Sequence, residues 1–273
     1  MLSYSVLMSV YYKEKPEYLR QAIESMLEQT LPPAEFVVVC DGPLTDALDA
    51  VLHHYQSAAP DLFQIVRLPQ NVGLGGALRI GVEHCRCEII ARMDSDDISL
   101  PGRMKLQLDY LENHPEVSVI GGQIQEFEDS ASSANPCRRV PLRPEEVKRF
   151  CARRNPMNHV SVAFRKKDVL DVGNYIAFDK FEDYYLWARM LARGYQLANL
   201  DEVCVQVRVG DAMYNRRGGL DYFSSTLALE RELYSLRLCS FWQFATNLSI
   251  RLFVTVLSPN SFRRFFYTRF LRK

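Results

Sequence analysis

The sequence predicts an α/β protein built on a doubly wound, mostly parallel sheet. Three observations carry this. Short β-rich runs alternate with stretches of helical apolar spacing through the first half of the chain. Those runs are apolar throughout rather than alternating, as strands covered on both faces are. Each run ends in a turn rich in Asp, Asn or Gly, the residues that close a strand and lead into a helix.

The elements follow in order. "YSVLMSVYY" (4–12) is the first strand. "KPEYLRQAIESMLEQT" follows as a helix, with Pro16 suited to its first turn and Leu19, Ala22, Ile23, Met26 and Leu27 on one face. "EFVVVCDG" is a second buried strand ending at Asp-Gly, and "ALDAVLHHYQS" is a helix. "FQIVRLP" is a third strand, and "NVGLGGALRIGVEHC" is a glycine-rich turn entering a helix. "CEIIARM" is a fourth strand, followed by the acidic stretch "DSDD". The second half reads as mixed. It has strands over 117–129, 159–166 and 203–209, and a helix over "FEDYYLWARMLARGY" that Gly194 stops. Its antiparallel-looking part is expected to finish the same sheet and to cover the crevice. From about 220 the chain turns helical, then apolar and basic.

With 273 residues, 48% of them hydrophobic, the chain can build one large domain plus an appendage. The expected division is a domain over 1–220, with halves at about 1–115 and 116–220, and a helical segment over 221–273. Net charge is zero, and nothing in it points to nucleic acid. The zero conceals an asymmetry. After Glu232 there are seven basic residues and no acidic one, while the first 232 residues carry 26 basic against 33 acidic. Seven cysteines lack zinc-type spacing and read as reduced thiols of a cytosolic protein. The N-terminal apolar stretch has no basic flank and is too short for a leader or a membrane span.

In a doubly wound sheet, ligands bind outside the carboxyl ends of the strands. That rule gathers Tyr11, Asp41, Asn71 with Gly73, and Asp94 with Asp96 at one edge. "DSDD" on its own is read equally as a helix N-cap or Asx turn. A calcium EF-hand fails, because Ser99 stands where its glycine belongs and Lys105 where its bidentate Glu belongs. What remains is a D-x-D at a strand end. There one Asp can accept from a ribose and the other can hold Mg²⁺ or Mn²⁺ against a nucleoside diphosphate. Asp41 reads as a turn residue or as an acceptor for a base or ribose. "NVGLGGALRIG" fails the dinucleotide pattern, since Leu78 replaces its last glycine. It reads instead as a turn that lets a helix pack closely on the sheet. Glu182 and Asp183 open a helix, where they either compensate its dipole or supply a general base. His159 has a structural and a functional reading.

With these residues assembled, the chain resembles the family-2 inverting glycosyltransferases of the GT-A fold, and in particular the bacterial enzymes that build O-antigen, capsule or exopolysaccharide. The matching pieces are "SVLMSVYYKEKPEYLRQAIESMLEQT", "EFVVVCDGP", "NVGLGGALRIG", "IARMDSDDISLPGRM", "NPMNHVSVAFRK" and "FEDYYLWARMLARG". The resemblance implies a Rossmann-like, mostly parallel sheet with a mixed acceptor-side half and a helical tail. It implies a nucleotide-sugar pocket of Val10, Tyr11, Asp41, Asn71, Gly73, Asp94, Ser95 and Arg208, with a UDP-sugar favoured. Asp96, together with Asp94, would hold Mn²⁺ or Mg²⁺. Asp183 would be the base, supported by Glu182, and His159 would face the acceptor. Arg216 and Arg217 are further candidates for the diphosphate. No QxxRW motif follows the helix, which argues against a processive synthase. A sugar nucleotidyltransferase would need a Gly- and Arg-containing loop after the first strand, where "SVYYKEKP" stands. An inactive assembly partner is the non-enzymatic alternative.

The segment 240–273 mixes aromatic residues with arginines. Phe241, Ala245, Leu248, Leu252 and Val256 fall at helical spacing, interrupted by Gln243, Asn247 and Arg251. It is expected either to pack on the body or to lie on anionic lipid at the inner face of the membrane, near a lipid-linked acceptor.

Overall fold

The computed structural model describes residues 2–128, 137–209 and 219–253. β1 (Tyr4–Val10), α1 (Pro16–Leu27), β2 (Glu35–Cys40), α2 (Asp46–Ala58), β3 (Phe63–Arg67), α3 (Leu74–His84) and β4 (Ile89–Asp94) follow the predicted order. Next come β5 (Ile98–Ser99), α4 (Arg103–Asn113), β6 (Val117–Phe127), β7 (Cys137–Arg138) and α5 (Pro144–Cys151). A 3₁₀ turn (His159–Ser161) then leads to β8 (Ala163–Arg165), α6 (Lys166–Asp171), α7 (Glu182–Ala192), β9 (Gln196–Arg208), α8 (Leu220–Ser235) and α9 (Phe241–Leu252).

One sheet runs β3-β2-β1-β4-β8-β6-β9-β5, with β7 on β6. β1 pairs in parallel with both β2 and β4, with Val10 opposite Cys40 and Ser9 opposite Asp94. The carboxyl ends of these three strands are therefore level. Because β2 lies to one side of β1 and β4 to the other, the crevice between β1 and β4 is the topological switch point.

Each face of the sheet carries its own apolar layer. On one side Val6, Met8, Ala91 and Met93 meet Leu19, Ile23, Leu48, Met104 and Leu108 of α1, α2 and α4. On the other, Leu7, Val39 and Ile90 meet Ala77, Val82, Trp187, Leu229 and Leu233 of α3, α7 and α8. The close packing expected of "NVGLGGALRIG" is present. A Cβ at Gly81 would fall 2.2 Å from the Leu7 side chain and 2.9 Å from that of Val39, so only glycine lets α3 lie this near the strands.

One expectation needs correction. Residues 159–166 are not one strand. The Ser161 hydroxyl donates to the Asn158 and Gly122 carbonyls (2.8 and 3.1 Å), and the Asn158 amide donates to Gly122 (3.0 Å). These side chains take the place of ladder partners, so the first residues coil before β8 begins. The second half is mixed, as expected: β6 and β9 pair in parallel, while β5, β7 and β8 run against their neighbours. α8 buries Leu229 and Leu233 in the layer that holds Trp187.

Candidate active site

The acid cluster sits where β4 leaves the sheet. Ile89, Ala91 and Met93 point into one apolar layer, which leaves Arg92 and Asp94 on the opposite face. Arg92 is buried, and its guanidinium grips both carboxylate oxygens of Asp94, one of them at 2.6 Å. Asp94 is itself only partly covered, at 34% side-chain exposure, so the bidentate pair orients an accessible carboxylate. The next two acids are crowded. Burial, then Asp94 and Glu14, push Asp96 up to about 7. Burial, then Asp94 and Asp96, also raise Asp97. Asp97 accepts the Arg208 N–H at 2.8 Å, and Ser95 donates to Glu14 at 2.6 Å. One carboxylate oxygen from each of Asp94, Asp96 and Asp97 can be chosen so that all lie within 4.8 Å of one another. An all-oxygen set carrying this much excess negative charge fits a hard divalent cation.

Arg208, at the end of β9, is brought to this cluster from far along the chain. Its guanidinium donates to the Asp96 carbonyl (3.0 Å) and to Gln21 (2.7 Å), and lies 3.8 Å from the Tyr18 ring centre. Tyr11 stands at the mouth, 39% exposed. Val10 needs correction. Its side chain is 1% exposed within the core layer, and its carbonyl accepts the Asp41 N–H, so it backs the crevice rather than lining it.

Asp41 is a clasp between two strand ends. One carboxylate oxygen accepts the Val72 N–H (2.7 Å) and the other the Asn71 amide (2.9 Å). Gly42 fits the clasp for two reasons: its φ is +88°, and a Cβ there would fall 2.8 Å from the Asn71 nitrogen. Gly73, at φ +80°, then starts α3. A Cβ at Gly75 would lie 3.0 Å from that of Glu182, which shows how closely α7 approaches this turn.

Glu182 and Asp183 open α7, where the helix dipole favours their ionised forms. Asp183 is half-buried and held on both oxygens, by the Asn155 amide (2.6 Å) and by the Tyr184 N–H (2.7 Å). Burial nevertheless raises it above the usual carboxylate range. Burial and then Asp183 push Glu182 up to about 7. His159 bonds the Tyr175 hydroxyl at 2.9 Å through Nε2, with Trp187 edge-on to its ring. Burial and Arg92 hold it far below the ordinary histidine value, so it stands neutral.

Arg92 joins these groups. Its charge bears on Asp96, Asp97, Glu182, Asp183 and His159, so the β4 acids and the α7 acids share one field. Arg92 and Asn155 were not singled out from sequence. Arg92 was legible as a charge inside an apolar strand, whereas Asn155 carries no local signal. Arg216 and Arg217 lie outside the described residues. Crowded acids for a cation, cationic groups beside them, and a held carboxylate opposite can together bind a polyanion and remove a proton from a nucleophile.

Comparisons with known proteins bear on the family and the fold. Residues 5–173 match the family described as Glycosyl transferase family 2. The chain is 40% identical to the amylovoran biosynthesis glycosyltransferase AmsE of Erwinia amylovora, over 97% of this chain and 98% of that protein. It is 32% identical to a UDP-Gal:alpha-D-GlcNAc-diphosphoundecaprenol beta-1,3-galactosyltransferase of Escherichia coli, over 99% and 97%. Among solved structures, S. aureus TarS 1-349 with UDP-GlcNAc superposes with a TM-score of 0.68 at 17% identity, covering 98% of this chain and 76% of that one. The mannosyltransferase PcManGT of Pyrobaculum calidifontis, with GDP-Man and Mn²⁺, gives 0.62 at 17%, over 94% and 76%. A longer TarS structure is spanned over only 44% of its length. At these identities the structural likeness speaks to the fold alone, which is GT-A.

Proposed function

The chain belongs to glycosyltransferase family 2, and on that premise we propose that it moves a sugar from a UDP-sugar to a hydroxyl of a lipid-linked saccharide in bacterial surface-polysaccharide synthesis, inverting the anomeric centre. The observation that supports the reading is the grouping, around the buried Arg92, of the Asp94–Asp97 cluster and Asp183. The name of the 32%-identical relative supports UDP-galactose as the donor to try first and a lipid-diphosphate-linked N-acetylglucosamine as the acceptor.

Tyr11, Asn71, Gly73 and Ser95 form the nucleotide pocket at the strand ends, with Val10 behind them. Asp41 fastens the Asn71–Val72 turn and keeps unused lone pairs for a base N–H. Asp94, oriented by Arg92, accepts from the ribose. Asp96, with Asp94, would hold Mn²⁺ or Mg²⁺, and the bound ion would supply charge neutralisation for the diphosphate. Arg208 adds positive charge beside the same diphosphate.

Asp183 takes the proton from the acceptor hydroxyl as that oxygen bonds to the anomeric carbon and the bond to the UDP oxygen breaks. A base contributes ionised, and the Asn155 amide and the Tyr184 N–H favour that form against the burial that opposes it. Glu182 adds a second, weaker acid beside it. Neutral His159 offers a hydrogen bond to the acceptor or leaving group rather than a charge. Among the described residues no helix is long and apolar enough to cross a membrane. The C-terminal segment instead brings the protein to the inner membrane surface, where a lipid-linked acceptor resides.

The test is transfer of labelled galactose from UDP-galactose to a lipid-diphosphate N-acetylglucosamine analogue, with product configuration read by NMR. The expected product is the β-galactoside, formed by wild type. Asp183→Asn should bind UDP normally and lose roughly 10²–10⁴ in rate. Full transfer by that variant would remove Asp183 from its role.

A further inference from the structure

We propose that the outer face of α9 is the surface that lies on an anionic bilayer, with Phe241, Trp242, Ile250 and Leu252 entering the lipid interface. The inference rests on the membrane reading above and names its contact surface.

α9 is docked through Asn247 and Arg251, with Phe244 packed against the apolar layer beside them. Glu230 of α8 is fully buried, and its charge is met by Arg251 (2.9 Å) and Asn247 (3.2 Å), both from α9. Asn247 also donates to the Ala152 carbonyl (2.8 Å), and Arg251 to that of Arg153 (3.0 Å). Rolling the helix over to hide its apolar side would strip a buried carboxylate of its partners, which is strongly unfavourable. The orientation is therefore locked. At 100° per residue, Phe241, Trp242, Thr246, Ser249, Ile250 and Leu252 then cover the solvent side, and none of them is charged. Phe241 is 57% exposed, Trp242 78% and Ile250 51%.

Charge selects the occupant. From Arg237 to the end the chain has seven basic residues and no acidic one; Arg251 is paired with Glu230, which leaves six. A second copy would bring the same acid-free, basic C-terminal sequence to the contact from both sides. An anionic lipid surface instead complements the arginines, while Trp and Phe suit the headgroup boundary.

The chain provides its own probe. It has two tryptophans; Trp187 is fully buried, so a lipid-dependent change in emission reports Trp242. Full-length protein is titrated with phosphatidylglycerol vesicles, with and without brominated acyl chains, and with phosphatidylcholine vesicles as the neutral comparison. The expected result is a blue shift and bromine quenching on the anionic vesicles. Phe241→Asp with Ile250→Asp should weaken vesicle binding about tenfold or more and leave UDP affinity unchanged, which also shows that the variant is folded. Co-sedimentation without Trp242 quenching would overturn this surface while keeping the membrane reading. No co-sedimentation would overturn both and leave the UDP titration to judge the donor reading separately. Lipid-free, concentration-dependent self-association that shields Trp242 would overturn the proposal in favour of a second copy.

Discussion

Asn155→Ala should move the acid limb of the pH–rate profile upward. In the wild type the Asn155 amide donates to one Asp183 oxygen at 2.6 Å. A hydrogen bond to a charged group contributes about 1.5–3 kcal/mol, and 1.36 kcal/mol corresponds to one pKa unit. Complete loss would thus raise Asp183 by about 1–2 units. Because Asp183 is half-buried and water can enter the space left by alanine, the lower end is expected. The sign follows from which form the bond favours. Asn155 favours the carboxylate, so its removal makes Asp183 hold its proton more tightly, and a base must be ionised to act. The variant should therefore lose about tenfold below the wild-type limb and recover well above it. The assay is kcat against pH at saturating donor and acceptor, with UDP release as the signal. A rate that falls equally at every pH, or a limb that stays in place, would refute the ionisation role and leave Asn155 as scaffolding.

Three further outcomes are expected. Asp96→Asn should abolish the metal-dependent part of UDP binding, read by calorimetry with Mn²⁺ and with chelator, without changing the thermal midpoint of the apo-protein by more than a few degrees. Gly81→Val should destabilise the fold by about 1–3 kcal/mol or more through overpacking against Leu7 and Val39, seen as a lower urea midpoint with an unchanged slope. Glu182→Gln should flatten the pH dependence of stability. Glu182 is raised from 4.5 to about 7, so the folded state holds a proton that the unfolded state releases. Its stabilising contribution is complete below about 4.5 and is lost as pH rises through 7, a decline the variant should lack in urea midpoints taken at pH 5 and 8.5.

Much of the site was legible because its residues sit where periodicity breaks. Tyr11, Asp41, Asn71 and Asp94 each end an apolar run, and the switch-point rule gathers such ends at one edge. The structure shows the same grouping, along with α3 lying close through Gly81. What the sequence concealed were long-range pairings. Asn155 lies in an irregular stretch, and only the packing of α7 against it brings its amide to Asp183. Arg208 meets Asp96 and Asp97 across more than a hundred residues of chain. Residues 159–166 read as a strand because their β propensity is high, but the Asn158 and Ser161 side chains compete for the backbone. The orientation of α9 was hidden for a related reason. Its apolar spacing is clear in the sequence, but the buried Glu230 draws Asn247 and Arg251 inward.

The central claim is that the crevice at β4 binds a nucleoside diphosphate through a metal. Its most direct test is calorimetric titration of UDP into the full-length protein, with Mn²⁺ and with chelator. One-to-one binding that appears with Mn²⁺ and vanishes with chelator is predicted. Equal binding in both conditions, or none in either, would contradict it.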